Sequence, residues 1–253
     1  MAYDPTQHAG AGLDELDASS KMPLLNIIQQ NSPQLNDKKD QFIEGSKAGE
    51  IFFSPTQEVL GTMVPFIPTA LRTLYVEWRT RDNGGGIVGM HPLDIQGRKD
   101  LGYEQGRKGQ YDEWLGDNEL KKTTYVLGLI TIGDEQVEGM VALSVTGQKT
   151  ARALQDSIRK FRYDGKLADI PPAIYARQYT LEAVYEENAK GEGYYNYKFN
   201  APRVLDFKKD EALLNAASSS RETSVVSLPA LKSDTPPVPT LETAVVDEDN
   251  PPF

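Results

Sequence analysis

Two stretches of this chain alternate aromatic rings with cations at the two-residue period of a β-strand. In LRTLYVEWRTR, Tyr75, Arg79 and Arg81 fall on one side with Glu77, while Leu74, Val76 and Trp78 share the other and read as core. In PAIYARQYTLEAVYEE, Tyr175, Arg177 and Tyr179 fall on one side with Leu181 and Tyr185. Such faces suit unpaired nucleic acid. Flat rings stack on bases while cations track the phosphates, and each stacked base contributes roughly 1–3 kcal/mol without sequence readout. Further cations extend the candidate set: Lys121 and Lys122 before one strand, Lys149 and Arg152 on the exposed side of a helix, and Lys198 opposite Tyr195, Tyr197 and Phe199. The same tyrosines also suit half-buried packing positions, because aromatic residues are favoured in strands for fit alone.

Other chemistries find less support. Gly84, Gly86 and Gly89 satisfy GxGxxG, but His91-Pro92 follows where a dinucleotide fold opens a helix. No GK[ST] phosphate loop is present, and a Ser–His–Asp triad would have to use His91 without a recognisable partner. Asp94 with Glu119 and Lys121 loosely imitates the carboxylates and lysine of a metal-dependent nuclease, the alternative enzyme reading. With 37 Asp and Glu in the chain, that spacing arises easily by chance. There is no cysteine, which excludes disulfides and thiolate metal sites, and two histidines make a structural zinc a poor expectation. The reading is therefore non-enzymatic, with no catalytic residue, metal or cofactor.

The elements that must position these residues begin near Val59. VLGTMVPFIP reads as a strand bent at Gly61 and Pro65, followed by the strand Leu71 to Arg81. Residues 82–122 carry nine glycines between Gly84 and Gly116 and read as a long loop insertion with little regular structure. It interleaves Arg98, Lys99, Arg107 and Lys108 with Tyr103, Tyr111 and Trp114, which suits a flap over nucleic acid, although its many acids equally suit a solvated loop. Strands from Thr123 to Ile132 and from Val137 to Val145 flank the turn Gly133-Asp134-Glu135-Gln136. Ala151, Leu154, Ile158 and Phe161 then recur at helical spacing between a cap at Thr146 and a stop at Gly165. Two long strands, Pro172 to Glu187 and Tyr194 to Phe207, close the body.

Both ends are of different composition. Residues 1–20 read as a disordered arm, and residues 21–58 as an extension whose Leu24, Leu25, Ile27 and Ile28 dock on the body. Residues 208–253 read as a short helix from Lys208 to Ala217, a Ser/Thr/Pro-rich linker from Ser218, and an acidic tail. The net charge of −10 sits there: residues 1–69 hold 4 Lys/Arg against 9 Asp/Glu, residues 204–253 the same, and residues 70–203 hold 19 of each. A neutral middle can carry a basic groove if charges segregate by face. No apolar run approaches a membrane span and no signal-peptide core is present, so a cytoplasmic protein, host cytoplasm if viral, is expected.

The tail ends VVDEDNPPF. Asp247, Glu248 and Asp249 keep it solvated, Pro251 and Pro252 hold it extended, and Phe253 can dock ring-first into an apolar pocket rimmed by cations. This tip closely resembles that of single-stranded DNA-binding proteins of tailed-phage and bacterial type, which close on acids followed by Pro-Phe. The element order strand, strand, hairpin strand, helix, strand, strand over residues 59–207 is similar to the OB-fold, a five-stranded barrel with one helix. One departure is Asn250-Pro251 where the bacterial tip usually carries an apolar residue. The resemblance implies a mainly β protein that binds single-stranded DNA in replication or recombination. It implies that the tail recruits replication or recombination proteins and competes with DNA. Metal-dependent nuclease and virion structural protein remain the alternatives, and self-association into a homo-oligomer is left open.

Overall fold

One strand serves two neighbourhoods and gives the fold its shape. In the computed structural model, which describes residues 23–188 and 191–224, β4 runs unbroken over Met63–Trp78. The two strands expected on either side of residues 69–70 are one. Pro65 lies opposite Thr180, one residue before the pairing with β8 begins at Phe66, and Pro68 lies opposite Gly128, beside a bulge between Pro68 and Ala70 that accommodates its missing N–H. The first part of β4 pairs with β10 (Arg177–Glu187), almost its whole length with β8 (Asn118–Ile132), and its last residues with β5 (Ile87–His91).

The protein is mainly β. An eight-stranded antiparallel sheet runs, from β11 (Gly193–Val204), through β10, β4, β8 and β7 (Glu113–Leu115) to β6 (Tyr103–Gln105), with β9 (Glu135–Ser144) also on β8 and β5 on β4. It curls into a half-barrel around a core that includes Phe66, Val126, Ile130, Val141, Tyr179 and Leu181. The hairpin β8–β9 forms where the alternation and the Gly133-Asp134 turn place it. Helix α1 (Gly147–Lys160) buries Ala151 and Leu154 of the expected stripe against that core and ends at Phe161, before Gly165.

The curled sheet does not pair β9 with β11. The N-terminal segment covers that seam. β1 (Leu25–Ile27), β2 (Ile51–Phe53) and β3 (Glu58–Gly61) form a small sheet of their own. Leu24 bridges Met140 of β9, whose N–H donates to the Pro23 carbonyl at 2.8 Å. On the other side the Gln29 amide donates to the Tyr195 carbonyl at 2.9 Å and accepts the Tyr195 N–H at 2.8 Å. One side chain thus supplies both bonds a neighbouring strand would make to that edge residue, which satisfies buried backbone groups a core cannot leave orphaned.

Residues 82–122 are not a bare loop. They contain β5, the short strands β6 (Tyr103–Gln105) and β7 (Glu113–Leu115), and single 3₁₀ turns. β7 turns into β8 through Gly116-Asp117, a two-residue hairpin loop in which Gly116 takes φ +58°. Helix α2 (Glu211–Ser224) is longer than expected. Leu213, Leu214 and Ala217 pack on Ile67, Leu129 and Leu205, and this burial carries the helix through serines whose own propensity favours a linker. Among the described residues no helix is long and apolar enough to cross a membrane. The acidic tip lies outside the described residues.

Candidate nucleic-acid interface

β8 has a gap along one edge. Its inner edge pairs with β4 from Glu119 to Ile130. Its outer edge is shared end to end by β7, opposite residues 118–120, and β9, opposite residues 123–132. No strand pairs with Lys121 or Lys122 there. At a strand's rise of about 3.4 Å per residue, Leu120 to Thr123 leaves a notch roughly 10 Å long.

Three hollows meet at this notch. One is lined by Trp78, Arg79, Arg81, Lys108, Glu119 and Lys121. The second, at the notch itself, is lined by Tyr111, Asp112, Lys121, Lys122, Val145 and Gln148. The third adds Thr73, Thr124, Ala151, Arg152 and Gln155. The register places Trp78, Glu119 and Lys121 on one face of the sheet and Thr73, Lys122 and Thr124 on the other. The hollows therefore form one trough that passes from face to face over the sheet edge. Gln148 ties α1 to the notch, its amide N–H groups donating to the Leu143 carbonyl at 2.5 Å and the Lys122 carbonyl at 3.2 Å.

Charge along the trough is unevenly committed. None of Arg79, Arg81, Lys122 and Arg152 forms an ion pair with a described residue. Lys121 pairs with Glu119 at 2.9 Å on the surface, a contact worth about 0–1 kcal/mol that a phosphate can replace. Asp82 and Glu119 also line the trough, while Asp112 and Glu113 are held by other groups. The indole N–H of Trp114 donates to Asp112 at 2.7 Å and, with backbone N–H groups of Lys108 and Gly109, holds its carboxyl below the usual range. Glu113 accepts from the hydroxyls of Tyr75 at 2.9 Å and Tyr103 at 2.7 Å. Burial, then donation to Glu113, pushes the Tyr103 hydroxyl up to about 12 and raises that of Tyr75 as well.

The tip of the β6–β7 hairpin is stiffened by these bonds. Arg107 and Lys108 lie over the buried Trp114 ring at 4.9 and 4.7 Å. Tyr111, beside them, is 80% exposed and faces the notch.

The candidate residues separate cleanly. Arg79, Arg81, Lys121, Lys122 and Arg152 line the trough, and Lys149 is exposed on α1 beside Gln148. The tyrosines do not. Tyr75 is 1% exposed because the insertion folds back and packs Ile95, Leu120, Tyr103 and Leu115 on it, so both sides of the end of β4 are core. Tyr179 is 2% exposed, since its side of β10 faces the barrel interior with Leu181. Neither ring can receive a base. Tyr175 is half-buried against α2, its hydroxyl 3.4 Å from the Ser218 hydroxyl. Arg177 is half-buried between the Phe161 and Tyr179 rings and donates to the Ser157 carbonyl at 3.2 Å. Lys198 is exposed on β11 opposite Glu182 and does not line the trough. Trp78, Lys108 and Tyr111 complete it instead; the glycines Gly106 and Gly109, which flank the turn between β6 and β7, are the signal that would have placed Tyr111 on a hairpin tip. Asp94 is not a lining residue, and no three acids or histidines among the described residues are placed to hold a metal ion.

Comparisons with curated proteins and with solved structures return no match. A family model described as Pam3 phage gp34-like protein matches residues 2–226, which takes in every described element and stops short of the acidic tip. With nearly all of the chain matched, the protein belongs to the Pam3 phage gp34-like family.

Proposed function

We propose that this protein binds single-stranded DNA without sequence preference, through the trough over the β8 notch, in phage DNA replication or recombination. The observation that carries the reading is the notch itself: cations from the segment just after β4, the insertion, β8 and α1 converge on a break in the sheet edge that has an exposed ring at its rim. A crossing over the sheet edge at about 10 Å of unpaired β8 backbone suits one flexible, extended strand. The strand order β11-β10-β4-β8-β9 with α1 between β9 and β10 supports an OB-type body. In that fold the loop between the first two barrel strands, here the insertion, takes part in oligonucleotide binding. The acidic residues Asp247, Glu248 and Asp249, with Pro252 and Phe253, complete the proposal as a tail that competes for the same cations and recruits partner proteins.

The test is a fluorescence titration of oligo-dT and of duplex at several salt concentrations. Expected is single-strand binding whose log K falls linearly with log salt as counterions are released, with duplex of equal length far weaker. A chain lacking residues 247–253 should bind more tightly at low salt. Equal affinity for duplex and single strand would sink the reading.

A further inference from the structure

Val145 is a β-branched residue with φ +44°, a conformation such side chains adopt only under constraint. It follows the last residue of β9, is 68% exposed, and covers no core. Glycine would adopt this backbone without strain, so an exposed valine there is a cost without a packing return. Its position supplies one. Ser144 pairs with Thr123 and Glu113 with Leu120, so Val145 and Tyr111 stand at the two ends of the unpaired stretch of β8, with Lys121 and Lys122 as floor.

Resting on the reading of the trough as a single-strand site, we propose that the notch is a slot for one unpaired nucleobase. The base lies between the Tyr111 ring and the Val145 isopropyl group, and Lys121 and Lys122 hold the phosphates on either side. The strained backbone aims the valine across the gap. The Asp112 bonds to the hairpin backbone and the cation-capped Trp114 stiffen the backbone that carries Tyr111, so only its ring has to be ordered when a base enters. The ligand class is a flat heterocycle on a phosphodiester strand, with either ring size and no demand on its hydrogen-bonding edge.

The test uses the full chain with Val145→Gly and Tyr111→Ala, on short dT oligomers that carry one abasic residue at each position in turn. Val145→Gly relieves strain, so its melting temperature should rise while its dT affinity falls roughly tenfold; Tyr111→Ala should lose a similar factor or more. Wild type should show a dip in affinity when the abasic residue falls on one position, and Val145→Gly should flatten that dip. A Val145→Gly chain that melts lower, or that binds dT as tightly as wild type with the dip intact, overturns the slot. Lys121→Glu with Lys122→Glu separates the two ideas. If that pair abolishes binding while both slot variants retain it, the slot is wrong and the trough stands. If all bind normally, the trough reading fails too.

Discussion

Reversing Lys121 and Lys122 together to glutamate should lower single-strand affinity on the order of a hundredfold at moderate salt, and should reduce the slope of log K against log salt by about two or more. The two side chains flank the notch from opposite faces of the sheet, so a strand crossing the edge passes both. The change removes two favourable phosphate contacts and adds two repulsive ones. Stability should move little. Lys122 is exposed, the Lys121–Glu119 pair is a surface contact, and the backbone bonds to Tyr75 and Val76 of β4 do not depend on the side chains. Titration and thermal melting of the same preparation check both halves. Unchanged affinity in a folded double variant would contradict the interface.

Gly128→Ala should be the most damaging single-methyl change in the body, costing about 3 kcal/mol. Gly128 lies mid-β8 opposite Pro68, where β4 passes from pairing with β10 to pairing with β5. A Cβ there would collide with the Ile67 carbonyl and stand 2.5 Å from the Phe66 ring, which lies across the glycine. Backbone cannot give way as a flexible side-chain end can, so Phe66 would leave its place among Val126, Ile130 and Tyr179. Urea unfolding measures the cost. Gly45→Ala, with open space at its Cβ but φ +76°, isolates the penalty of backbone alone. A Gly128→Ala chain as stable as wild type would show that the Phe66–Gly128 contact does not fix this crossing.

The sequence revealed one-sided burial and missed burial on both sides. The alternation in residues 71–81 marks Leu74, Val76 and Trp78 as core, and Leu74 and Val76 are buried. Nothing local tells that Tyr75, on the other side, is covered by Ile95 and Tyr103 from a glycine-rich segment whose strands are three to five residues long. The same non-local cover explains Tyr179, which faces a barrel interior rather than solvent. Pro68 ended one expected strand too early, because a bulge there carries β4 past it. The cations were more legible than the rings. Charged side chains are seldom buried, Glu77 and Arg177 being exceptions here, so Arg79, Arg81, Lys121, Lys122 and Arg152 reached the surface, and the chain's curl gathered them. Their meeting point, a missing pair of residues between two strands on one edge, is a property of register that no single stretch encodes.

Photo-crosslinking of a halogenated-pyrimidine single strand to the full chain, with the modified residues mapped by mass spectrometry, tests the interface most directly. The account predicts adducts at Tyr111 and at Trp78, which line the trough, and none at the buried Tyr75 and Tyr179. Adducts confined to the exposed Tyr185 and its neighbour Tyr195, on the far hairpin, would contradict it.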